Sequence, residues 1–257
     1  MDEQPTDHIT AEDEGSVRVI RIDRGSVNAL PFSTWEQLAA TIGAASADAS
    51  IRAVAIHGGD GRFCAGADIA ELATPAPDAD DAAMLTVVGQ VASAIKACRI
   101  PVIAAVDGPA HGGGLELAIA CDIRVASDGA SFAASGVNVG LIASIDSLAT
   151  AVGDTVARRM LLTGERVDAA TALRWGLITD IVEAPLDAAL AIAQGIAKKP
   201  PLAVEAAKAA LNALPTQSPE ERHTATTEAF RSLIATADHH EALDAFLQKR
   251  SATYDRT

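Results

Sequence analysis

Residues 101–127 read PVIAAVDGPAHGGGLELAIACDIRVAS, and the fold turns on this stretch. Val102–Val106 is an apolar, β-branched run closed by Asp107 and Gly108, which predicts a buried strand. Three glycines, Gly112 to Gly114, open a helical pattern over Gly114–Ala120, and Ile123–Ala126 reads as a second strand. Strand, glycine turn, helix and strand in succession is α/β patterning.

The same alternation extends outward. Val17–Ile22 and Ala53–His57 read as strands. Helical patterns cover about Ser33–Ala47, Asp81–Ala97, Asp154–Leu162 and Asp168–Trp175. Ser33 with Glu36 three residues later predicts a capped helix start. From about Leu186 the strand signals stop, and AIAQGIAKK, LAVEAAKAALNAL, Pro219–Thr236 and HHEALDAFLQKR read as consecutive helices. That shift divides the chain into an α/β core, 1–195, and a C-terminal helical segment, 196–257, of the kind that serves packing or oligomerisation.

Composition narrows the function. Of 257 residues, 49% are hydrophobic but only 3% aromatic, so Ala, Val, Ile and Leu must build the core and stacking platforms for bases are scarce. Twenty Lys+Arg against 34 Asp+Glu give a net charge of −14, which repels nucleic acid and anionic membrane at long range. An anionic small molecule would need helix N-termini or a local basic cluster. The acidic start MDEQPTDHITAEDEG has no basic and apolar leader pattern, and no run approaches the ~18 apolar residues of a span. Cys64, Cys98 and Cys121 match no metal spacing. The expectation is a reduced, cytoplasmic setting without a metal.

Three places are richer than folding requires. Phe63-Cys-Ala-Gly-Ala-Asp-Ile69 follows a strand and a glycine turn, and its small residues let a ligand approach backbone N–H groups that can hold an oxyanion. On this stretch alone an ordinary glycine-rich β–α connection is the preferred reading. Asp107–Leu117 gathers three glycines and a helix start, where N–H groups and the positive helix end converge. Glu116 falls in that helix's first turn, and a helix-start charge is its bland explanation. No GxxxxGK[ST] is present, so this is not a phosphate loop of that type. Ser135–Leu141 with Ile142–Asp146 is a loop entering another helix, with Ser144 or Asp146 as possible caps.

Taken in order, FCAGADI, PVIAAVDGPAHGGGLELAIACDIRVAS, LLTGERVDAATALRWGLI and EALDAFLQKR resemble the crotonase, or enoyl-CoA hydratase/isomerase, superfamily from about Val17 to Arg250. The loop SGVNVGLIAS most resembles the branch named enoyl-CoA hydratase domain-containing proteins. The resemblance implies a crotonase-like spiral of ββα turns with a C-terminal helical trimerisation segment, as a homotrimer or a hexamer of paired trimers. It also implies an acyl-CoA thioester substrate, with coenzyme A as part of that substrate and no separate cofactor. Its carbonyl would be polarised by the amides of Ala67 and Gly113. By the same carry-over Asn28, Ala29, Ala65, Gly66, Asp68, Ile69, Ala70, His111, Gly112, Gly136, Phe246 and Lys249 fall at substrate-binding positions, the last two serving a neighbouring subunit.

Glu116 matches one of the two acid/base carboxylates of family hydratases. The second normally follows a proline in the segment matching Ser135-Gly136-Val137, and here that position is Gly136. Hydration needs a base for water and an acid for the α-carbon, so either Glu116 serves both or another group substitutes. Asp146 is the nearest acidic candidate, with His111 behind it and more simply a loop-packing residue. Arg24 and Arg62 are candidate phosphate partners or else solvated charges. Cys64 has no histidine nearby to activate it and reads as packing. The reaction implied is addition of water to a 2-enoyl-CoA. Isomerisation, another enolate reaction such as decarboxylation, or turnover-free acyl-CoA binding are the alternatives.

Overall fold

A computed structural model describes residues 8–59, 61–73, 81–142 and 145–257. In chain order the first elements are β1 (Ile9–Glu14), β2 (Val17–Ile22), β3 (Ala29–Leu30), α1 (Phe32–Ala47), β4 (Ala53–His57), β5 (Gly66–Ala67), α2 (Ile69–Leu72) and α3 (Asp81–Ala97). The central elements are β6 (Val102–Val106), β7 (Pro109–His111), α4 (Gly113–Ala120), β8 (Ile123–Ala126) and β9 (Ser131–Ala133). A 3₁₀ turn (Ser135–Val139), α5 (Ile145–Val152), α6 (Asp154–Thr163), β10 (Val167–Asp168), α7 (Ala169–Arg174) and β11 (Asp180–Ile181) follow. The chain ends in α8 (Pro185–Ala197), α9 (Pro201–Ala213), α10 (Pro219–Ile234) and α11 (Ala237–Gln248).

The main sheet runs β1-β2-β4-β6-β8-β11, parallel except for the β1–β2 pair. Its inner strands are apolar at nearly every position because both faces are covered. Val54, Ile56, Val102, Ala104 and Val106 face the principal core, where Trp35, Leu38, Ile42, Ile95 and Leu115 also lie. The alternate residues Ala53, Ala55, Ile103, Ala105 and Val125 face Ala189 and Ala193 of α8. Small residues on that face let the helix approach the sheet closely.

A second, smaller sheet, β10-β9-β7, and the two-residue pair β3–β5 stand beside it. Two cations, Arg124 and the buried Lys208, tie separate segments together. Arg124 donates to the carbonyls of Leu177 at 2.6 Å and Cys121 at 2.5 Å, closing the C-terminal end of α4. Lys208 of α9 meets Asp122 at 2.8 Å and the Ile100 carbonyl at 2.9 Å, seating the helical segment on the core. Among the described residues, no helix is long and apolar enough to cross a membrane.

One expectation about a helix start is overturned. The N-cap of α1 is Pro31, with no side-chain cap, and Ser33 already lies inside the helix. Glu71 of α2 replaces the cap from outside, accepting the Phe32 N–H at 2.8 Å. A carboxylate at a helix N-terminus satisfies an orphan donor and complements the dipole, which makes the local Ser33–Glu36 device redundant.

Candidate active site

The loop after β4 threads between two strand segments. Cys64 donates its N–H to Pro109 at 3.0 Å and accepts from His111 at 3.1 Å, while Asp68 donates to Leu30 at 2.9 Å. N–H groups alternate sides along an extended strand. The Asp68 bond to β3 therefore turns the Ala67 N–H away from β3. On the far side stands the start of α4. A side chain begun at Gly66 would lie 2.9 Å from the His111 carbonyl and 3.0 Å from the Gly113 nitrogen, so these backbones are in contact. Gly66 at φ 103° and Gly112 at φ 52° hold conformations that favour glycine.

Gly112 spends its own N–H on the Ala133 carbonyl at 2.9 Å. The Gly113 N–H begins α4 and has no intrahelical acceptor. Among the described residues neither it nor the Ala67 N–H has a hydrogen-bond acceptor. Trp35 floors the turn, its ring 3.1 Å from where a Gly113 side chain would begin, with Nε1 held by the Leu30 carbonyl at 3.2 Å. Two donors thus stand side by side on a rigid apolar base. Glu116, half-buried in the first turn of α4, stands beside them.

The other residues singled out in the sequence divide into several groups. Asn28 is fully buried at φ 51°. Its side chain donates to Gly58 and Phe63 at 2.9 Å and to Ile22 at 3.1 Å, and accepts from Arg24 at 2.7 Å. It fastens three loops, leaving Ala29 and Ala65 half-buried beside it. Asp68 caps α2 by accepting from Ala70 at 2.9 Å and pairs with Arg24 at 2.9 Å. The Ala70 N–H outweighs the opposing effect of burial and, with Arg24, holds its carboxyl below the usual range. Ile69 is exposed. Arg62 is occupied by the Gly25 carbonyl at 2.7 Å and by Asp23 at 3.4 Å.

His111 is half-buried with Nε2 3.0 Å from Ser131 Oγ. Burial first, and Arg166 second, lower its pKa, which favours a neutral ring. Burial pushes the Cys64 thiol up to about 12, so it packs rather than reacts. Asp146 is exposed in the first turn of α5, and Ser144 lies outside the described residues. Phe246 is 81% exposed on α11, a helix that packs against α10, and Lys249 closes α11 at φ 54°. Among the described residues, no group of three or more His, Cys, Asp and Glu side chains could hold a metal.

The loop at Gly136 closes on itself. Leu141 donates its N–H to the Gly136 carbonyl at 2.9 Å, and a side chain begun at Gly136 would meet the Leu141 carbonyl at 2.9 Å. That contact is with backbone, which yields less readily than a side chain. Gly136→Glu is expected to cost about 1–3 kcal/mol, as overpacking does, and to leave hydration of crotonyl-CoA no faster. Urea denaturation and the loss of enoyl absorbance check the two halves.

Ser135 is the residue that sequence reasoning passed over. Its Oγ lies 3.3 Å from where a side chain on Gly112 would begin. The only sequence signal was its place where the family carries a proline.

Comparison with known proteins shows the family of the chain. The family described as Enoyl-CoA hydratase/isomerase matches residues 12–257. A 2,3-dehydroadipyl-CoA hydratase of Escherichia coli (strain K12) is 36% identical over 233 residues, spanning 88% of this chain and 90% of its own. A short-chain-enoyl-CoA hydratase of Clostridium acetobutylicum is 33% identical over 251 residues, 95% of each chain. The crystal structure of an enoyl-CoA hydratase from Bacillus anthracis superposes with a TM-score of 0.93 at 29% identity, over 97% of this chain and all of that one. With the family's pattern matched from residue 12 to the last residue and relatives more than 30% identical over nearly their whole length, this protein belongs to the enoyl-CoA hydratase/isomerase family.

Proposed function

We propose that the protein binds an acyl-CoA thioester and adds water across the double bond of a 2-enoyl-CoA. The observation that carries this reading is the contact between Gly66 and Gly113, which sets two N–H groups without acceptors among the described residues at one point beside Glu116. As water adds to the β-carbon, negative charge develops on the thioester oxygen. Preorganised amides of Ala67 and Gly113 stabilise that charge, and one such donor is typically worth ~2.7–4 kcal/mol. Glu116 moves the proton. The reaction transfers only water and a proton, so the coenzyme A of the substrate is the sole carrier it calls for.

A homotrimer, or a hexamer of paired trimers, goes with this reading. Leu211, Phe230, Leu243, Phe246 and Leu247 form exposed apolar surface on α9 to α11 that a neighbouring copy would cover. A cytoplasmic setting goes with it too, supported by three buried free thiols.

The blocked position at Gly136 and the exposure of Asp146 also favour a second reading, migration of a double bond by Glu116 alone. The two readings separate in one assay. The protein incubated with crotonyl-CoA should bleach the enoyl absorbance and yield the 3-hydroxyacyl-CoA. Conversion of a 3-enoyl-CoA to the conjugated isomer, with crotonyl-CoA left intact, would replace hydration by isomerisation.

A further inference from the structure

We infer that Ser135 positions the attacking water opposite Glu116, doing at residue 135 what the glycine at residue 136 cannot. The inference rests on the hydration reading above. Three observations converge. The Ser135 Oγ lies 3.3 Å from the point where a side chain on Gly112 would begin, on the turn that presents the Gly113 amide. Glu116 is hydrogen-bonded through its own N–H to the Gly112 carbonyl at 3.1 Å. Helix side chains lean toward the N-terminal turn, so its carboxylate rides over that same residue. Finally, Ser135 is half-buried and its hydroxyl has no hydrogen-bond partner among the described residues.

Other nearby groups are otherwise engaged. The His111 ring is bound to Ser131, Asp146 faces solvent on α5, and a side chain at Gly136 would strike the Leu141 carbonyl. The 3₁₀ turn over Ser135–Val139 begins right after Ala134, and this brings residue 135 rather than 136 against the glycine turn.

A serine hydroxyl is far too weak a base at neutral pH to activate water itself, but it can accept one hydrogen of a water molecule whose other hydrogen faces Glu116. Glu116 takes that second proton as the water oxygen bonds to the β-carbon. The double-bond electrons shift onto the thioester oxygen. The enolate then collapses and takes the proton from Glu116 at the α-carbon. One water is added, Glu116 returns to its carboxylate, and Ser135 gains and loses nothing.

The test separates water placement from enolate formation. Wild type, Ser135→Ala and Ser135→Thr are compared in two assays: hydration of crotonyl-CoA, and exchange of the α-proton of butyryl-CoA in D₂O, which needs Glu116 and the two amides but no attacking water. Ser135→Ala should lose hydration kcat by on the order of 100-fold, the scale of a misplaced reactant, with KM within about twofold and α-proton exchange unchanged. Ser135→Thr, which keeps a hydroxyl, should recover most of the lost rate. If the wild type hydrates and Ser135→Ala hydrates equally well, or loses both activities together, this assignment alone is overturned. Release of free CoA that requires Ser135 also overturns it, because the hydroxyl would then be a nucleophile. A wild type with neither hydration nor exchange overturns the proposed function, and the assignment falls with it.

Discussion

Glu116→Gln should lower the hydration of crotonyl-CoA by about 10⁴-fold, the upper end of what a positioned acid/base supplies. The upper end applies because, in the proposed reaction, Glu116 carries both proton transfers: Asp146 is exposed and position 136 has no side chain. Glutamine keeps the length and shape of glutamate, so packing in the first turn of α4 is preserved and the thermal midpoint should move little. The two amides at Ala67 and Gly113 are untouched, and acyl-CoA binding should persist in the inactive variant. Steady-state turnover with a binding titration on the same sample checks both statements. A Gln variant within tenfold of wild type would remove Glu116 from the chemistry. Binding without turnover in the wild type itself would leave a carrier rather than an enzyme.

That a single carboxylate sits beside a glycine turn was readable from the sequence, because the elements around it are buried on both faces. Such strands appear as short, mostly apolar runs, and Val17–Ile22, Ala53–His57, Val102–Val106 and Ile123–Ala126 are strands over those very residues. Elements defined by pairing rather than composition left no such trace. β1 reads ITAEDE, an acidic tail by composition, with five of its six residues exposed. Backbone bonds to β2 make it a strand, and its charges suit an unprotected sheet edge. The two-residue pair β3–β5 exists only because the chain returns from Gly66 to Ala29.

The same distinction runs through the site. Glycine spacing pointed to Gly112 and Gly113 from the sequence. The knot of hydrogen bonds at Asn28, which reaches from Ile22 to Phe63, depends on three loops meeting and is invisible along the chain. Ser135 was hidden by its neighbour: the missing carboxylate at 136 drew attention, and only the curl of the 3₁₀ turn brings 135 to Gly112.

Gly114→Ala should be the most disruptive single-methyl change in this region. A methyl group on Gly114 would stand 1.8 Å from the Cys64 carbonyl oxygen and 2.6 Å from its carbon. Both partners are buried backbone, and Cys64 is held on either side by Pro109 and His111, so relief requires α4 and the 63–67 loop to part by more than 1 Å. Overpacking of this kind costs about 1–3 kcal/mol when side chains can adjust, and more where backbone must move. We expect at least 3 kcal/mol, read as a lowered urea midpoint with an unchanged m-value. The same displacement separates the amides of Ala67 and Gly113, which act on one oxygen only if they stay adjacent. A shift of about 1 Å is worth about 100-fold in rate, so turnover should fall by that factor even where the variant remains folded. Gly43→Ala is the control. It lies exposed inside α1 with nothing within 4 Å of the new methyl, and replacing a helix glycine by alanine should stabilise by about 0.5–1 kcal/mol. If Gly114→Ala matched Gly43→Ala in both stability and rate, the close seating of α4 on the 63–67 loop would be wrong, and with it the convergence of the two amides.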